Sequence, residues 1–314
     1  GGPFTLAENS ANGTVAGIVA ANDPDAGQTH TFAITSGNAG NAFAINPATG
    51  AITVATSAAL DFETTPSFGL TVQVTDNGTP TNLSGTVTVT VNLTDANDPP
   101  TVTPATFSLP ENSLNATPVG TVTATDIEAG QTHTFAITGG NTGNAFAINP
   151  TTGAITVATN AALDFETTPS FSLTVQATDN GVPAQSGTGT VTVNLTNVNE
   201  APVINSTPGN ATEEALFTYN ATRTDVDSTG QTWNVVVGID TCTGSSIVPA
   251  TGLYSFTPSG PVPPANCVVA VQVCDGGTPN LCATQSTTIT ITAVNDAPII
   301  NSAAPTTATE DTPY

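Results

Sequence analysis

Apolar and polar residues alternate one for one along much of the chain. Val87, Val89, Val91 and Leu93 alternate with Thr88, Thr90 and Asn92, and the same period of two runs through Leu70-Val72-Val74, Val191-Val193-Leu195 and Ile289-Ile291. Successive side chains of an extended strand point to opposite faces, so each stretch predicts a half-buried antiparallel strand with its Val, Leu and Ile turned inward. Asn46-Pro47-Ala48-Thr49-Gly50, Asn149-Pro150-Thr151-Thr152-Gly153 and Pro249-Ala250-Thr251-Gly252 each stand between two apolar runs and predict hairpins. No segment carries a convincing helical period, and Val, Ile and Phe set among abundant Thr suit strands.

The pattern recurs on a larger scale. Thr29-His30-Thr31-Phe32-Ala33-Ile34-Thr35 returns as Thr132-His133-Thr134-Phe135-Ala136-Ile137-Thr138, and Leu60-Asp61-Phe62-Glu63 returns as Leu163-Asp164-Phe165-Glu166, both at an offset of 103 residues. A divergent third copy begins near Ala201 and closes with Asn295-Asp296-Ala297-Pro298, which echoes Asn97-Asp98-Pro99 and Asn199-Glu200-Ala201. The division expected is 1–99, 100–201 and 202–298, with 299–314 as the first strand of a further copy or a strand donated elsewhere. About 100 residues per copy, roughly seven short strands and no helix predict an all-β protein of tandem immunoglobulin-like β-sandwiches in Greek-key order. Trp233 stands in one copy only and is no hallmark of that fold.

Charge changes the picture. There are 24 acidic residues against a single Arg and no Lys, a formal net charge of −23, which speaks against nucleic acid as a partner. No run of about 20 apolar residues is present, so this segment is not expected to span a membrane as a helix. Without a leader or an initiating Met it reads as a mature or excised piece of a longer secreted protein. The carboxylates are also placed rather than scattered: of the 24, Asp240 alone falls outside positions that recur from copy to copy. Pairs such as Asp23 with Asp25 and Asp61 with Glu63 stand two apart, which on an extended chain projects both charges to one side. With almost no cationic side chains to separate them, a hard divalent cation fits the need. Calcium takes six to eight oxygens from carboxylates, amides and carbonyls, and Asn97, Asn199 and Asn295 add amide oxygens.

Leu109-Pro110-Glu111-Asn112, Leu60-Asp61-Phe62-Glu63, Thr75-Asp76-Asn77-Gly78 and Asp95-Ala96-Asn97-Asp98 together resemble the motifs of cadherin repeats, in the bacterial or archaeal style. The resemblance is clear in the first two copies; the third resembles degenerate cadherin-like domains. It implies calcium at the joints between domains, with cadherin-type sandwiches held in a linear rod. At the first joint it implicates Glu8, Asp61, Glu63, Asp95, Asn97, Asp98, Asp126, Glu128 and Asp179. At the second it implicates Glu111, Asp164, Glu166, Asn197, Asn199, Glu200, Asp225, Asp227 and Asp275. Two departures stand out: Asn197 replaces the linker aspartate, and Glu128 replaces the second of the spaced aspartates. The third copy lacks the mid-domain acidic pair, so its outgoing joint is expected to bind calcium weakly or not at all. The function implied is extracellular: an adhesive stalk at the cell surface, with other copies of itself or surface glycans and proteins as partners. The alternative is a self-assembling filament joined by residues 299–314.

All four cysteines lie in the third copy and predict disulfides in an oxidising compartment. Cys274 and Cys282 bracket a turn-rich stretch and are expected to pair across a hairpin, leaving Cys242 for Cys267; free thiols or zinc are the alternative. His30 and His133 occupy the same place in two copies, which suits a structural or surface role better than catalysis. A glycosidase acid pair fails on multiplicity, because the same pairs recur at every joint, and no enzyme activity is expected. Sequons at Asn12, Asn92, Asn115 and Asn220 permit glycosylation.

Overall fold

The computed structural model describes residues 3–25, 27–227, 230–259 and 265–298. In the first repeat β1 (Phe4–Ala7), β2 (Val15–Ile18), β3 (His30–Ser36), β4 (Phe43–Ile45), β5 (Ala51–Val54), β6 (Ser67–Asp76) and β7 (Ser84–Thr94) form two sheets, ordered β1-β7-β6-β3 and β2-β5-β4. The long β6–β7 hairpin is antiparallel, from Ser67 opposite Asn92 to Thr75 opposite Ser84. The alternation seen in the sequence is what lets one face of this ribbon close a core: Leu70, Val72, Val89 and Val91 are fully buried, together with Ile52 and Leu60. Each such side chain contributes about 1.5–3 kcal/mol by leaving water. Phe43 meets Phe68 edge to face, ring centres 5.1 Å apart.

Val87 departs from the inward expectation and is 39% exposed. It lines an open groove with Val74 and Ala21.

The second repeat comprises β8 (Thr101–Val102), β9 (Ala105–Pro110), β10 (Pro118–Thr121), β11 (Ala124–Thr125), β12 (Thr134–Gly139), β13 (Phe146–Ile148), β14 (Ala154–Val157), β15 (Ser170–Thr178) and β16 (Ser186–Thr196). Its sheets are β12-β15-β16-β9, β10-β14-β13 and the small pair β11-β8. The third has β17 (Val203–Ile204), β18 (Ala211–Thr212), β19 (Phe217–Asn220), β20 (Arg223–Thr224), β21 (Thr232–Val235), β22 (Ser246–Ile247), β23 (Leu253–Phe256), β24 (Asn266–Cys274) and β25 (Cys282–Thr292), in sheets β18-β25-β24-β21, β19-β23-β22 and β17-β20. Helical geometry among the described residues is limited to single 3-10 turns. Segment 299–314, expected to be a further or donated strand, lies outside the described residues.

The three hairpin signals sit where they are expected, between β4 and β5, β13 and β14, and β22 and β23. Asn46 shapes the first, its Oδ1 accepting from the Ala48 and Thr49 amides at 2.9 and 3.1 Å. Gly50 closes it with φ +68°, and a Cβ there would lie 2.2 Å from the Val19 carbonyl oxygen.

Cys242 pairs with Cys267 and Cys274 with Cys282. The second bridge joins directly opposed residues of the β24–β25 hairpin. At the same place the other repeats carry a hydroxyl pair, Thr75 with Ser84 at 2.9 Å and Thr178 with Ser186 at 2.7 Å.

The chain divides into two compact units, residues 1–107, 114–162 and 171–194 in one, and 108–113, 163–170 and 195–314 in the other. The acid-bearing end of the second repeat thus groups with the third repeat.

Candidate metal centres at the ends of the repeats

Parallel pairing builds the acidic end of a repeat. Because β1 runs parallel to β7, with Ala7 opposite Thr94, both strands finish at the same edge. The Glu8 amide then donates to the Thr94 carbonyl at 3.1 Å and the Asn9 amide to that of Leu60 at 3.2 Å. Three segments distant in sequence, around residues 8, 61 and 95, are drawn together. Glu8 is 2% exposed, and its carboxylate accepts from the Phe62 amide at 2.6 Å and the Ala96 amide at 2.8 Å. Carboxylate oxygens of Glu8, Asp61 and Glu63 lie within 4.8 Å of one another, as do those of Glu63, Asp95 and Glu128.

Glu128 comes from the loop after β11, so the second group joins residues of two consecutive repeats. Its Oε1 accepts from the Asp98 amide at 2.9 Å, while its Oε2 is buried with no hydrogen-bond partner. Asn97 spans the same gap, donating to Asp179 Oδ2 at 3.0 Å and to the Pro183 carbonyl at 3.1 Å. Desolvation, then the neighbouring Asp126, pushes the Glu128 carboxyl up to about 7. Glu63 is raised by desolvation and by the charges of Glu8, Asp95 and Asp98.

The second unit repeats the arrangement. Glu111, again 2% exposed, accepts from the Phe165 and Val198 amides, both at 2.7 Å. Glu111, Asp164 and Glu166 form one carboxylate group, and Glu166, Glu200 and Asp227 another. Asn199 donates to Asp275 Oδ2 at 2.8 Å and to the Pro279 carbonyl at 3.0 Å. Glu200 Oε2 is buried without a partner, and desolvation followed by Asp227 raises its carboxyl to about 7. Asn197 has a clear role: its amide nitrogen donates to Glu166 Oε1 and Asp227 Oδ1, both at 3.0 Å. Where Asp95 adds a charge at the first joint, Asn197 removes one and bridges two carboxylates.

Several partners escape sequence reasoning. His30 Nε2 lies 3.4 Å from Asp23, and His133 Nε2 lies 3.0 Å from Asp126. Asn9 and Asn112 donate to the linker acids Asp98 and Glu200 at 2.7 and 2.5 Å. Gln131 Nε2 holds Asn97 Oδ1 at 2.6 Å. The duplication of the histidines was the available signal, since the spaced acids are duplicated at the same offset. In the third repeat Glu213 keeps the buried position and accepts from the Val294 amide at 2.8 Å, with its Oε1 unpartnered. Ser259 follows Pro258 there, where Asp61 follows Leu60 in the first repeat.

A metal fits these donors. Every side-chain donor in the groups is oxygen, which selects a hard cation over zinc or copper. Buried carboxylate oxygens without hydrogen bonds, beside like charges, are costly unless a cation balances them.

Two-sheet sandwiches repeated in tandem, the first two ending in such a cluster, define a class of extracellular repeat domain. Residues 3–94 and 105–196 each match the Cadherin domain family model, and the chain belongs to the cadherin family. It is 38% identical over 190 residues to Protocadherin Fat 1 of Homo sapiens, which covers 59% of this chain and 4% of that protein. It is 33% identical over 314 residues to Protocadherin-like wing polarity protein stan of Drosophila melanogaster, covering 93% of this chain and 9% of that protein. The chain thus spans a small fraction of the relatives it matches. The solved structure of mouse Cadherin-23 EC22-24 shares the fold, with a TM-score of 0.52 at 22% identity over 93% of this chain and 96% of that one. The family is one of extracellular adhesion domains rather than enzymes. Among the described residues no helix is long and apolar enough to cross a membrane.

Proposed function

We propose that the chain is part of an extracellular adhesive rod, divided at about residues 99, 201 and 298, in which calcium bound between consecutive repeats holds them in line. One observation carries this proposal. Glu128 Oε2 and Glu200 Oε2 are buried and unpartnered, each within a carboxylate group that draws on two consecutive repeats. When bound, calcium supplies the positive charge on which these oxygens converge. The chain's own residues do the rest. Glu8 and Glu111 pin their linkers through backbone amides, and Asn97 and Asn199 clasp the aspartate loop of the following repeat. The ligand set is the one implied by the family resemblance, with Asn197 acting as a bridge. Extracellular sites of this kind bind with dissociation constants of roughly 10⁻⁴ to 10⁻³ M, so the rod is stiff outside a cell. Its distant partners are further copies or surface glycans and proteins, held at a distance by the stalk.

Small-angle scattering in millimolar calcium and again in excess chelator tests this. A maximum dimension on the order of 120 Å, from three sandwiches of roughly 35 to 45 Å each with strands of about 10 residues, is expected with calcium and is lost on chelation. An unchanged profile would leave the cadherin ancestry without its mechanism.

The second reading is a filament joined by donation of residues 299–314. Electron microscopy of the chain in calcium separates the two, since persistent head-to-tail fibres belong to the filament and dispersed rods to the stalk.

A further inference from the structure

Arg223 is the sole Lys or Arg of the chain, yet its side chain is only 7% exposed. Its Nη1 lies 2.5 Å from Oδ2 of Asp225, itself 1% exposed. Its Nε donates to Gln231 Oε1 at 3.3 Å, and Nη2 donates to the Gly230 carbonyl. Asp225 is one of the spaced acids that the family resemblance assigns to calcium at the second joint. We propose that the Arg223 guanidinium is a built-in counter-cation of that joint, taking the place of one calcium ion, so that the second joint binds one ion fewer than the first. This inference rests on the calcium reading given above and deepens it.

The chain contains its own control. Strand pairing aligns the repeats at this point: Ala124 stands opposite Val102, and Arg223 stands opposite Ile204. The residue two positions before the spaced aspartate is therefore Ala21, Ala124 or Arg223. A second position changes with it. The Phe32, Phe135 and Trp233 amides donate to the Pro47, Pro150 and Pro249 carbonyls, so the residues two positions before them, His30, His133 and Gln231, correspond. In the first two repeats a histidine faces the spaced aspartate and the other position is alanine. In the third the histidine is a neutral glutamine, and arginine faces the aspartate. The exchange moves a basic group from the segment that follows the spaced acids to the strand that precedes them and makes its charge permanent, because a guanidinium does not lose its proton in a protein.

Charge explains the consequence. A divalent ion sharing Asp225 would have to expel the guanidinium or sit within a few ångströms of it, in a site where burial weakens screening. The influence of Arg223 extends to Asp275. Although burial pushes the Asp275 carboxyl up, hydrogen bonds from Asn199, Gly277 and Leu281 and the field of Arg223 hold it below the usual range. The remaining group, Glu166, Glu200 and Asp227 with Glu111 and Asp164, is left for calcium.

Native mass spectrometry of the full chain at saturating calcium counts the ions. Arg223→Ala, which restores the residue of the other repeats, is expected to gain one ion, while Arg223→Lys keeps the wild-type count. The reciprocal Ala124→Arg at the first joint is expected to lose one, and it decides the matter if Arg223→Ala does not fold. Calcium bound in equal numbers by wild type, Arg223→Ala and Ala124→Arg overturns this inference alone. Absence of bound calcium in every variant overturns it together with the calcium joints.

Discussion

A buried carboxylate that accepts two backbone amides differs in kind from one with an orphaned oxygen, and both occur at each joint. Glu8 and Glu111 are satisfied by the chain and act as struts. Glu128 and Glu200 are not satisfied, and their charge is tolerable only with a cation nearby. Glu128→Gln and Glu200→Gln are therefore expected to raise the melting temperature in chelator and to weaken calcium binding at least about tenfold, as calorimetry and titration would read. A rise in both quantities or a fall in both would contradict the assignment. Backbone geometry offers a separate test. Gly50 combines a left-handed φ with a carbonyl 2.2 Å from any Cβ, so Gly50→Ala is expected to cost about 1–3 kcal/mol by strain. Denaturant titration of the first repeat's transition measures it.

At the scale of the elements, the β24–β25 hairpin shows how one position is closed in two ways. Thr75 with Ser84 and Thr178 with Ser186 hold the neck of the aspartate loop by hydroxyls, and Cys274 with Cys282 hold it covalently. The residues they join are 8 and 25 apart in sequence. Loop-closure entropy then gives about 2.5 kcal/mol for Cys274–Cys282 and about 3.5 kcal/mol for Cys242–Cys267. Reduction is expected to lower the unfolding midpoint of the third repeat and leave those of the first two in place. A uniform shift of all transitions would show that the bridges act beyond their own sandwich. The cost falls where the mid-domain acids are absent, consistent with covalent constraint standing in for an ionic one.

For the whole molecule the governing quantity is the clustering of 24 carboxylates against one arginine. In chelator Glu128 and Glu200 titrate near 7 in the folded chain against an ordinary value of 4.5. Between those values the folded chain holds more protons than the unfolded one, so stability falls as pH rises through that window. Melting in chelator is thus expected at a lower temperature at pH 8 than at pH 5, with the difference shrinking when calcium is added. A melting temperature that climbs with pH in chelator would show that hydrogen-bonded aspartates such as Asp61, held low by the Thr64 amide, dominate instead.

Much of this was legible in the chain itself. Period-two alternation, the 103-residue offset, the Asn-Pro…Gly turns, the pairing of the cysteines and the gathering of acids at recurring positions are all properties of neighbours in sequence or of internal copies. They determine strands, repeats and the kind of ion a joint would hold, because pleat geometry and like-charge repulsion act over a few residues. The tertiary structure alone decided which oxygens lost their partners, that Asn197 bridges Glu166 and Asp227 and that Arg223 closes on Asp225. The joint contacts link residues far apart in sequence, 30 positions for Asp98 with Glu128 and 89 for Asn9 with Asp98. The fate of Arg223 depends on the groups the fold places around it. Desolvation and hydrogen-bond choice depend on what the fold packs around a group, and a local pattern does not carry that information.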